Sequence, residues 1–542
     1  MANSTQNKGY LHGAAILAGA VAIVKLLGAV FRIPLGNILG DEGMSTFTVA
    51  HSIYALLLTL STAGLPVALS KLISSAEAVG DYQGVRRTFA VGRNTFVFLG
   101  VISFFIMAIF SRELAALSNA PTAALGILAL SPAMLFVCLI SAYRGYFQGF
   151  SNMVPTSISQ IIEALSRLFL GLGLAWYLAS LAYGDEYTVA GAIFGVTVGT
   201  ALSAGFLFIC KRRANPRLPM PASTKQGQST GVIFKDLLRI AVPLTLGASI
   251  FSIVHIVDNV IILGRLQDAL GMSYDQARSL HGTYAMTMSL FNLPSSFVIP
   301  LTVALIPAIS AFLAKGDKSA AKMTAESGMR ITCLLALPAG VGLFVLARPI
   351  MYLMYYGRFA AEGPQILAYM GLASFFLCLF QATNCILQAY GFQRYTLYTL
   401  TIGGVVKVGL NWVLLSNPEV GIYGAAISTL VCYVVISLIN MALVKKSVPN
   451  PPRFRKVLLK PFVCTLVMGG AAWAVYDLLA AAVLHFTGIS SGRTPIAIAT
   501  LGAIAVAGVV YLILIIATKA LTLADMEMLP KGKRLAKILR IR

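Results

Sequence analysis

Charged residues are scarce in this chain. Of its 542 residues only 11% are charged, whereas 58% are hydrophobic. A soluble domain carries roughly 25% charged residues, with which it covers its surface. This chain lacks the charge to do so, which excludes an ordinary soluble domain. The composition therefore predicts a polytopic membrane protein whose main solvent is lipid.

Residues that mark other kinds of chemistry are also lacking. The seven cysteines form no CxxC pair, and they and the five histidines are scattered, so we predict no metal site and no disulfide framework. No phosphate-binding G-x-x-x-x-G-K-[ST] loop is present, which excludes ATP as the direct energy source. No DxD-like cluster of a membrane-embedded glycosyltransferase occurs in the loops. We expect a transporter without catalytic residues or cofactors, driven by the membrane potential or a Na⁺ or H⁺ gradient.

The sequence does contain many long apolar runs, each long enough to cross a bilayer core, which takes about 20 residues. They predict an all-α polytopic fold of about 14 transmembrane helices. The runs are 10–31, 46–75, 94–117, 124–148, 156–181, 188–210, 237–263, 283–313, 331–355, 365–390, 397–416, 420–444, 461–486 and 495–518.

The positive charges predict the topology. With the N-terminus inside, most of the 41 Lys and Arg residues, Arg144 among them, fall on the cytoplasmic side. We therefore predict a multi-pass membrane protein with both termini in the cytoplasm. The net charge of +22 is spread over short loops without a nucleic-acid-binding motif. Anionic lipid headgroups, and not nucleic acid, are the expected partners of these loops.

The longest loop, 211–235, is rich in Pro, Ser, Gly and Lys and is typical of a linker. It predicts an N-terminal lobe at 1–225 with helices 1–6 and a C-terminal lobe at 226–445 with helices 7–12. The remaining residues, 446–542, would form helices 13 and 14 and a basic cytoplasmic tail. Because each lobe holds six spans, a parallel duplication is a natural interpretation.

A shift of 240 residues pairs similar segments of the two lobes. It also superposes the charged residues Arg167 and Lys407. The identities are Phe136 with Phe376, Cys138 with Cys378, Leu139 with Leu379, Ala142 with Ala382, Gln148 with Gln388, Thr156 with Thr396 and Ile162 with Ile402. The pattern favours a duplication, although apolar segments also match by chance.

Charged residues inside the predicted spans are the candidate site residues, because a charge at the bilayer centre costs about 2.5–3.5 kcal/mol on insertion scales. Lys25 and Arg32 lie seven positions apart and share one helix face. Arg32 is also close enough to the outer edge to reach the interface. Glu163 lies four residues before Arg167, so it either neutralises that arginine locally or leaves it for a ligand.

Lys407 has no acidic neighbour on its own helix, so it either lines a polar cavity or pairs with an acid on another helix. Asp258 follows His255 and could pair with a cation, bind a coupling ion or cap a kink. Central cations outnumber unpaired central acids in this set. A cavity with an excess of positive charge suits a phosphate or diphosphate group.

Several motifs resemble those of a known family. Within 28–75, FRIPL, LGDEGM and LSTAGLPVALSKL resemble the stage V sporulation protein B and YtgP group. VDNVIILGRL at 257–266 and LFNLPSSFVIPLTVALIPAIS at 290–310 resemble MurJ-type lipid II flippases. Both groups belong to the multidrug/oligosaccharidyl-lipid/polysaccharide (MOP) exporter superfamily.

The resemblance implies two six-helix lobes in a V around a cavity, and two C-terminal helices forming a groove for a lipid tail. It implies a flippase that moves lipid II from the inner to the outer leaflet of the bacterial plasma membrane. Because a complete two-lobed transporter needs no partner, we expect a monomer that works beside cell-wall synthesis proteins. Another undecaprenyl-linked oligosaccharide, for capsule, teichoic acid or spore wall, is the alternative substrate. A drug or cation antiporter fits less well because central acids are few.

The resemblance also implies roles for single residues. Lys25 stands at the place of a first-helix arginine, Arg32 lies near a second one, and Asp258 matches an aspartate of the seventh helix. This chain departs from the MurJ pattern at Leu58-Thr59 and at Ser289, where arginines are expected. We expect Arg167, Lys407 and Arg265 to supply the missing positive charge.

Overall fold

The computed structural model describes residues 2–214, 229–487, 492–522 and 525. All regular elements in these ranges are helices, without a strand. Part of the predicted linker (215–228) and the basic tail from 526 onward lie outside the described residues.

Seventeen α-helices follow one another along the described chain, with a 3-10 turn at Pro121–Ala123 and a π-helical segment at Arg167–Gly171. They are α1 (Ala2–Thr62), α2 (Leu65–Ala78), α3 (Tyr82–Ile109), α4 (Ser111–Leu117), α5 (Ala124–Gly149), α6 (Val154–Ser166), α7 (Leu172–Ser180), α8 (Asp185–Ala214), α9 (Thr230–Asp268), α10 (Tyr274–Ala314), α11 (Lys318–Val345), α12 (Ala347–Tyr355), α13 (Gly363–Ala389), α14 (Gln393–Leu414), α15 (Tyr423–Ser447), α16 (Phe454–Thr487) and α17 (Arg493–Ala517).

Thirteen helical stretches of the described chain are long and apolar enough to cross a membrane. The first, Gly19–Ala78, has 60 residues, which is about 90 Å of helix, three times a bilayer core of about 30 Å. Gly40 interrupts it with φ 68°, a conformation that glycine adopts without steric cost. Counting this stretch as two spans gives fourteen, so the predicted all-α fold with about 14 spans is confirmed.

The chain divides into two compact units, Met1–Gly264 and Arg265–Arg542. Most of α9 belongs to the first unit, where Thr245 Oγ1 accepts a hydrogen bond from Gly64 N at 3.1 Å. A side chain at Gly64 would collide with the carbonyl oxygen of Ala241, so glycine permits this close approach. The division falls later than residue 225, and the lobe boundaries inferred from the linker stay a prediction.

The two units share local geometry at the start of α3 and of α11. Asp81 accepts a hydrogen bond from Gly84 N at 2.7 Å and so caps α3. Asp317 accepts one from Ala320 N at 2.9 Å and caps α11 in the same way. Each of these aspartates follows a glycine with positive φ. Equivalent caps on equivalent helices support the duplication.

Candidate functional site

A cavity of about 260 Å³ lies within the first unit, between α1, α5 and the α6–π segment. Three cations and one carboxylate line it: Lys25, Arg144, Arg167 and Glu163. Two sets of neighbouring helix positions form its walls, since residues three, four and seven apart share a helix face. The first set is Val21, Val24, Lys25, Gly28 and Phe31, and the second is Gln160, Glu163, Ala164 and Arg167.

An ion pair in the cavity wall joins α5 to α6. Arg144 Nη2 lies 2.7 Å from Glu163 Oε1, and both side chains are mostly buried. Arg144 Nε donates a second hydrogen bond, of 3.0 Å, to Ser159 Oγ. Ser159 in turn donates to the carbonyl oxygen of Thr156 at 2.7 Å. Arg144 is therefore fixed by α6 through two contacts.

This arrangement tests one of the two interpretations of Glu163, the local ion pair. Local pairing with Arg167 is wrong, because the carboxylate lies on Arg144 instead. The sequence prediction placed Arg144 only among the charges that set topology and gave it no part in the site. Spacing along one helix revealed Glu163 and Arg167, but nothing in the sequence showed which helix would face them.

Two buried polar atoms in the cavity have no hydrogen-bond partner among the described residues. They are Nε of Arg167, a donor, and Oε1 of Gln160, an acceptor. A buried polar group without a partner costs about 1–3 kcal/mol. Such atoms in a cavity are suited to a polar ligand that supplies both an acceptor and a donor.

The π-helical segment begins at Arg167 itself, and segments of this kind often occur at functional sites. It packs closely on α8: a Cβ atom at Gly195 would lie 2.4 Å from the backbone of Gly171. At the next contact a Cβ atom at Gly199 would lie 3.2 Å from the Glu163 carbonyl oxygen. Two glycines of α8 therefore allow the helix that carries Glu163 and Arg167 to lie where it does.

A row of aromatic rings borders the cavity. Phe31, which lines it, lies 6.2 Å from Phe47, ring centroid to ring centroid, and Phe47 stacks on His51 at 5.8 Å. His51 lies 5.8 Å from Tyr54. Sequence analysis missed these two residues, although the i, i+3 or i+4 spacing of Phe47, His51 and Tyr54 was visible.

The other charged candidates in the first unit are not in the cavity lining. Arg32 is half-buried on α1, one residue after Phe31 and therefore on a different side of the helix. Asp258 lies in α9 with only 2% of its surface exposed. The structure thus brings together Lys25, Glu163 and Arg167 of the predicted set, and adds Arg144 and Gln160.

The remaining two candidates lie in the second unit. Lys407 is buried in α14, 7% exposed. Arg265 donates to Ser416 Oγ from Nη2 at 2.6 Å and from Nε at 2.9 Å. Its guanidinium also lies 4.0 Å from the centre of the Trp412 ring. These contacts join the end of α9 to the end of α14.

No cluster of three or more His, Cys, Asp or Glu side chains within the described ranges is arranged to hold a metal ion. The charged cavity is built instead from guanidinium, ammonium, amide and carboxylate groups. Groups of these kinds can form charge-assisted hydrogen bonds with a polar ligand.

Comparison with known proteins agrees with this fold. The profile of the family described as "Polysaccharide biosynthesis protein" matches residues 10–313, more than half of the chain. The chain belongs to this family. A second profile, MatE, matches residues 279–413. This polysaccharide biosynthesis family member is a MOP-superfamily protein of the MurJ and stage V sporulation protein B type, and it is a multi-pass membrane protein.

Three similar proteins cover nearly the whole chain. Stage V sporulation protein B of Bacillus subtilis (strain 168) is 28% identical over 96% of this chain and 98% of its own. Lipid II flippase MurJ of the same organism is 26% identical over 93% and 94%. A solved lipid II flippase MurJ in an inward closed conformation has a TM-score of 0.66 at 15% identity, covering 92% of this family member and 97% of that chain. The structural likeness shows the shared fold.

Proposed function

We propose that this protein is a flippase for an undecaprenyl-diphosphate-linked saccharide, and that the saccharide lipid is lipid II, the peptidoglycan precursor. The observation that carries the proposal is the cavity in the first unit, where three cations face one carboxylate. The names of its relatives, lipid II flippase MurJ among them, supply the substrate class.

The chemistry of a diphosphate suits the donors in this cavity. Guanidinium groups bind phosphate oxygens through two parallel, charge-assisted hydrogen bonds. Arg167 has an unused donor at Nε, and Lys25 adds an ammonium group that can approach from several directions. Gln160 Oε1 can accept a hydrogen bond from a sugar hydroxyl or a peptide amide of the substrate.

Glu163 gives the cavity a second property. In the described conformation it occupies Arg144, so Arg167 and Lys25 are the cations left for the ligand. A diphosphate that displaced the carboxylate would gain a third cation. Glu163 would then be released to hold a proton or to face a coupling cation, which is the role we also propose for Asp258.

We further propose that transport proceeds from the inner to the outer leaflet by alternating access, with both termini in the cytoplasm. The membrane potential or a Na⁺ or H⁺ gradient would drive it. Arg32, Lys407 and Arg265 stay proposed substrate-binding cations. The protein acts as a monomer in this proposal, beside proteins of cell-wall synthesis.

A second substrate is another undecaprenyl-linked oligosaccharide. Identity to stage V sporulation protein B is 28%, against 26% to the MurJ of the same organism. Leu58-Thr59 and Ser289 replace arginines of the MurJ pattern, which changes the polar contacts offered to a headgroup. Both substrates share the diphosphate, so the cavity chemistry is the same for either.

Complementation tests the proposal. The protein is expressed in bacteria depleted of their own lipid II flippase, and growth is measured together with lipid II accessible from outside. We expect both to be restored, and to be lost again with Arg167→Ala at equal membrane abundance. Failure of the wild-type protein despite normal membrane insertion would contradict lipid II as the substrate and favour the second one.

A further inference from the structure

An apolar groove of about 320 Å³ lies in the second unit between α11, α13, α15 and α16. Its walls include Leu438, Leu459 and Phe462. The Ser437 hydroxyl also lines it but already donates to the carbonyl oxygen of Phe376 at 2.8 Å. Among the residues of the groove lining, Arg455 is the one with a charge.

The groove is open on the side that faces away from the helices. Leu438, Leu459 and Phe462 are 57%, 53% and 47% exposed, and in a membrane-spanning bundle such side chains contact lipid. Arg455, Leu458, Leu459 and Phe462 follow the i, i+3, i+4, i+7 pattern of one helix face. From Arg455 to Phe462 this face extends about 10 Å, which accommodates a portion of one acyl chain.

Positive charge is concentrated at the Arg455 end. The Arg455 side chain is exposed in the first turn of α16. It makes no hydrogen bond or ion pair with another residue in the described ranges. Segment 445–460 contains no Asp or Glu. Its cations are Lys445, Lys446, Arg453, Arg455, Lys456 and Lys460. Lys460 is occupied, since its Nζ donates to the carbonyl oxygen of Thr518 at 2.9 Å.

We propose that this groove binds one acyl chain of an anionic glycerophospholipid, with the phosphate headgroup on Arg455. A zwitterionic lipid would fill the groove equally well but would gain little from the surrounding cations. An undecaprenyl chain is several times longer than the groove, and α17 contributes no residue to the described lining. The site is therefore separate from the charged cavity, and the proposal does not rest on the proposed transport function.

Native mass spectrometry of the purified full chain tests the proposal. The protein is titrated with phosphatidylglycerol and with phosphatidylcholine of the same acyl chains. We expect phosphatidylglycerol to bind more tightly, and Arg455→Gln to weaken it about fivefold, the factor for one cation at an anionic membrane surface. Lys456→Gln is the matched control and should have a smaller effect, because this neighbouring cation does not line the groove.

A second pair of variants tests the apolar part. Leu459→Trp should fill the groove and weaken binding of phosphatidylglycerol. Leu466→Trp should not, because Leu466 is equally exposed at 53% on the same helix but lies outside the groove lining. Equal affinity for the two lipids, or equal effects of Arg455→Gln and Lys456→Gln, would overturn the proposal. Displacement of phosphatidylglycerol from the wild-type protein, but not from Leu459→Trp, by undecaprenyl phosphate would also overturn it.

Discussion

The two units differ in the residues that join two of their corresponding helices. A shift of 240 residues carries Arg144 and Glu163 of the first unit onto Asn384 and Gly403 of the second. Asn384 still contacts the following helix, because its Oδ1 accepts a hydrogen bond from Thr396 Oγ1. The link between the two helices is thus kept in the second unit, while its charge is absent.

Glycine placement differs in a related way. In the first unit the glycine at the helix contact is Gly199 of α8, which lies close to the backbone of Glu163. In the second unit the glycine at the corresponding contact is Gly403 of α14. A Cβ atom at Gly403 would collide with the side chain of Ile436. The first unit therefore has a close approach to the backbone of Glu163 at this contact, and the second has an apolar contact with Ile436. The comparison teaches that corresponding helix contacts in the two units are closed by different residues: a glycine of α8 beside Glu163 in the first, and Ile436 beside Gly403 in the second.

Arg167→Ala should have the largest effect. It removes the buried donor that the cavity leaves unused, and hydrogen bonds to charged groups contribute about 1.5–3 kcal/mol, or about 10- to 100-fold. We expect transport, measured as lipid II accessible in the outer leaflet, to fall by that factor with normal membrane insertion. Lys407→Ala, at the equivalent position of the second unit, is also expected to reduce transport. If both variants transport normally, the cationic-cavity account is wrong.

Gly195→Ala should distort the segment that presents Arg167. The new methyl group would lie 2.4 Å from the backbone of Gly171, and overpacking of this kind costs about 1–3 kcal/mol. Thermal unfolding in detergent should show the loss of stability, together with reduced transport. Gly205→Ala on the same helix is the control, because nothing lies within 4 Å of the position that its methyl group would take. Equal unfolding temperatures for the two variants would refute the close packing of α8 on the π-helical segment.

The ion pair of Arg144 and Glu163 should show a coupling free energy that the corresponding residues of the second unit lack. Single and double variants Arg144→Ala and Glu163→Ala form a double-mutant cycle, with stability measured by thermal unfolding. We expect a coupling free energy of about 1 kcal/mol, because the pair is only partly buried. The cycle of Asn384→Ala with Gly403→Ala has no charge pair to break. Additive effects of Arg144→Ala and Glu163→Ala would show that the pair contributes nothing.

Lys25→Gln should have the smallest effect. Lys25 is exposed at the cavity, where solvent and salt screen its charge. We expect transport to fall only about two- to fivefold, as for a single exposed cation. Lys71→Gln is the matched control, because Lys71 is also exposed but lies outside the cavity lining. A loss with Lys25→Gln as large as that with Arg167→Ala would move the centre of the site towards α1.

Apolar run length predicted the spans and the fold class well, because the bilayer thickness fixes how long a helix must be. The same runs drew attention to Lys25, Glu163 and Arg167, because a charged residue inside a predicted span is energetically costly. It could not identify Arg144, because the contact with Glu163 joins two helices whose facing sides depend on packing. For the same reason the groove at Arg455 was invisible: four separate helices form its walls.

Binding of undecaprenyl diphosphate to the purified protein tests the central claim most directly. Affinity is compared between the wild-type chain, Arg167→Ala and Lys71→Gln by native mass spectrometry in one detergent. The cavity account predicts that Arg167→Ala binds at least about tenfold more weakly, while Lys71→Gln binds like the wild type. Unchanged affinity in a correctly folded Arg167→Ala protein would contradict it.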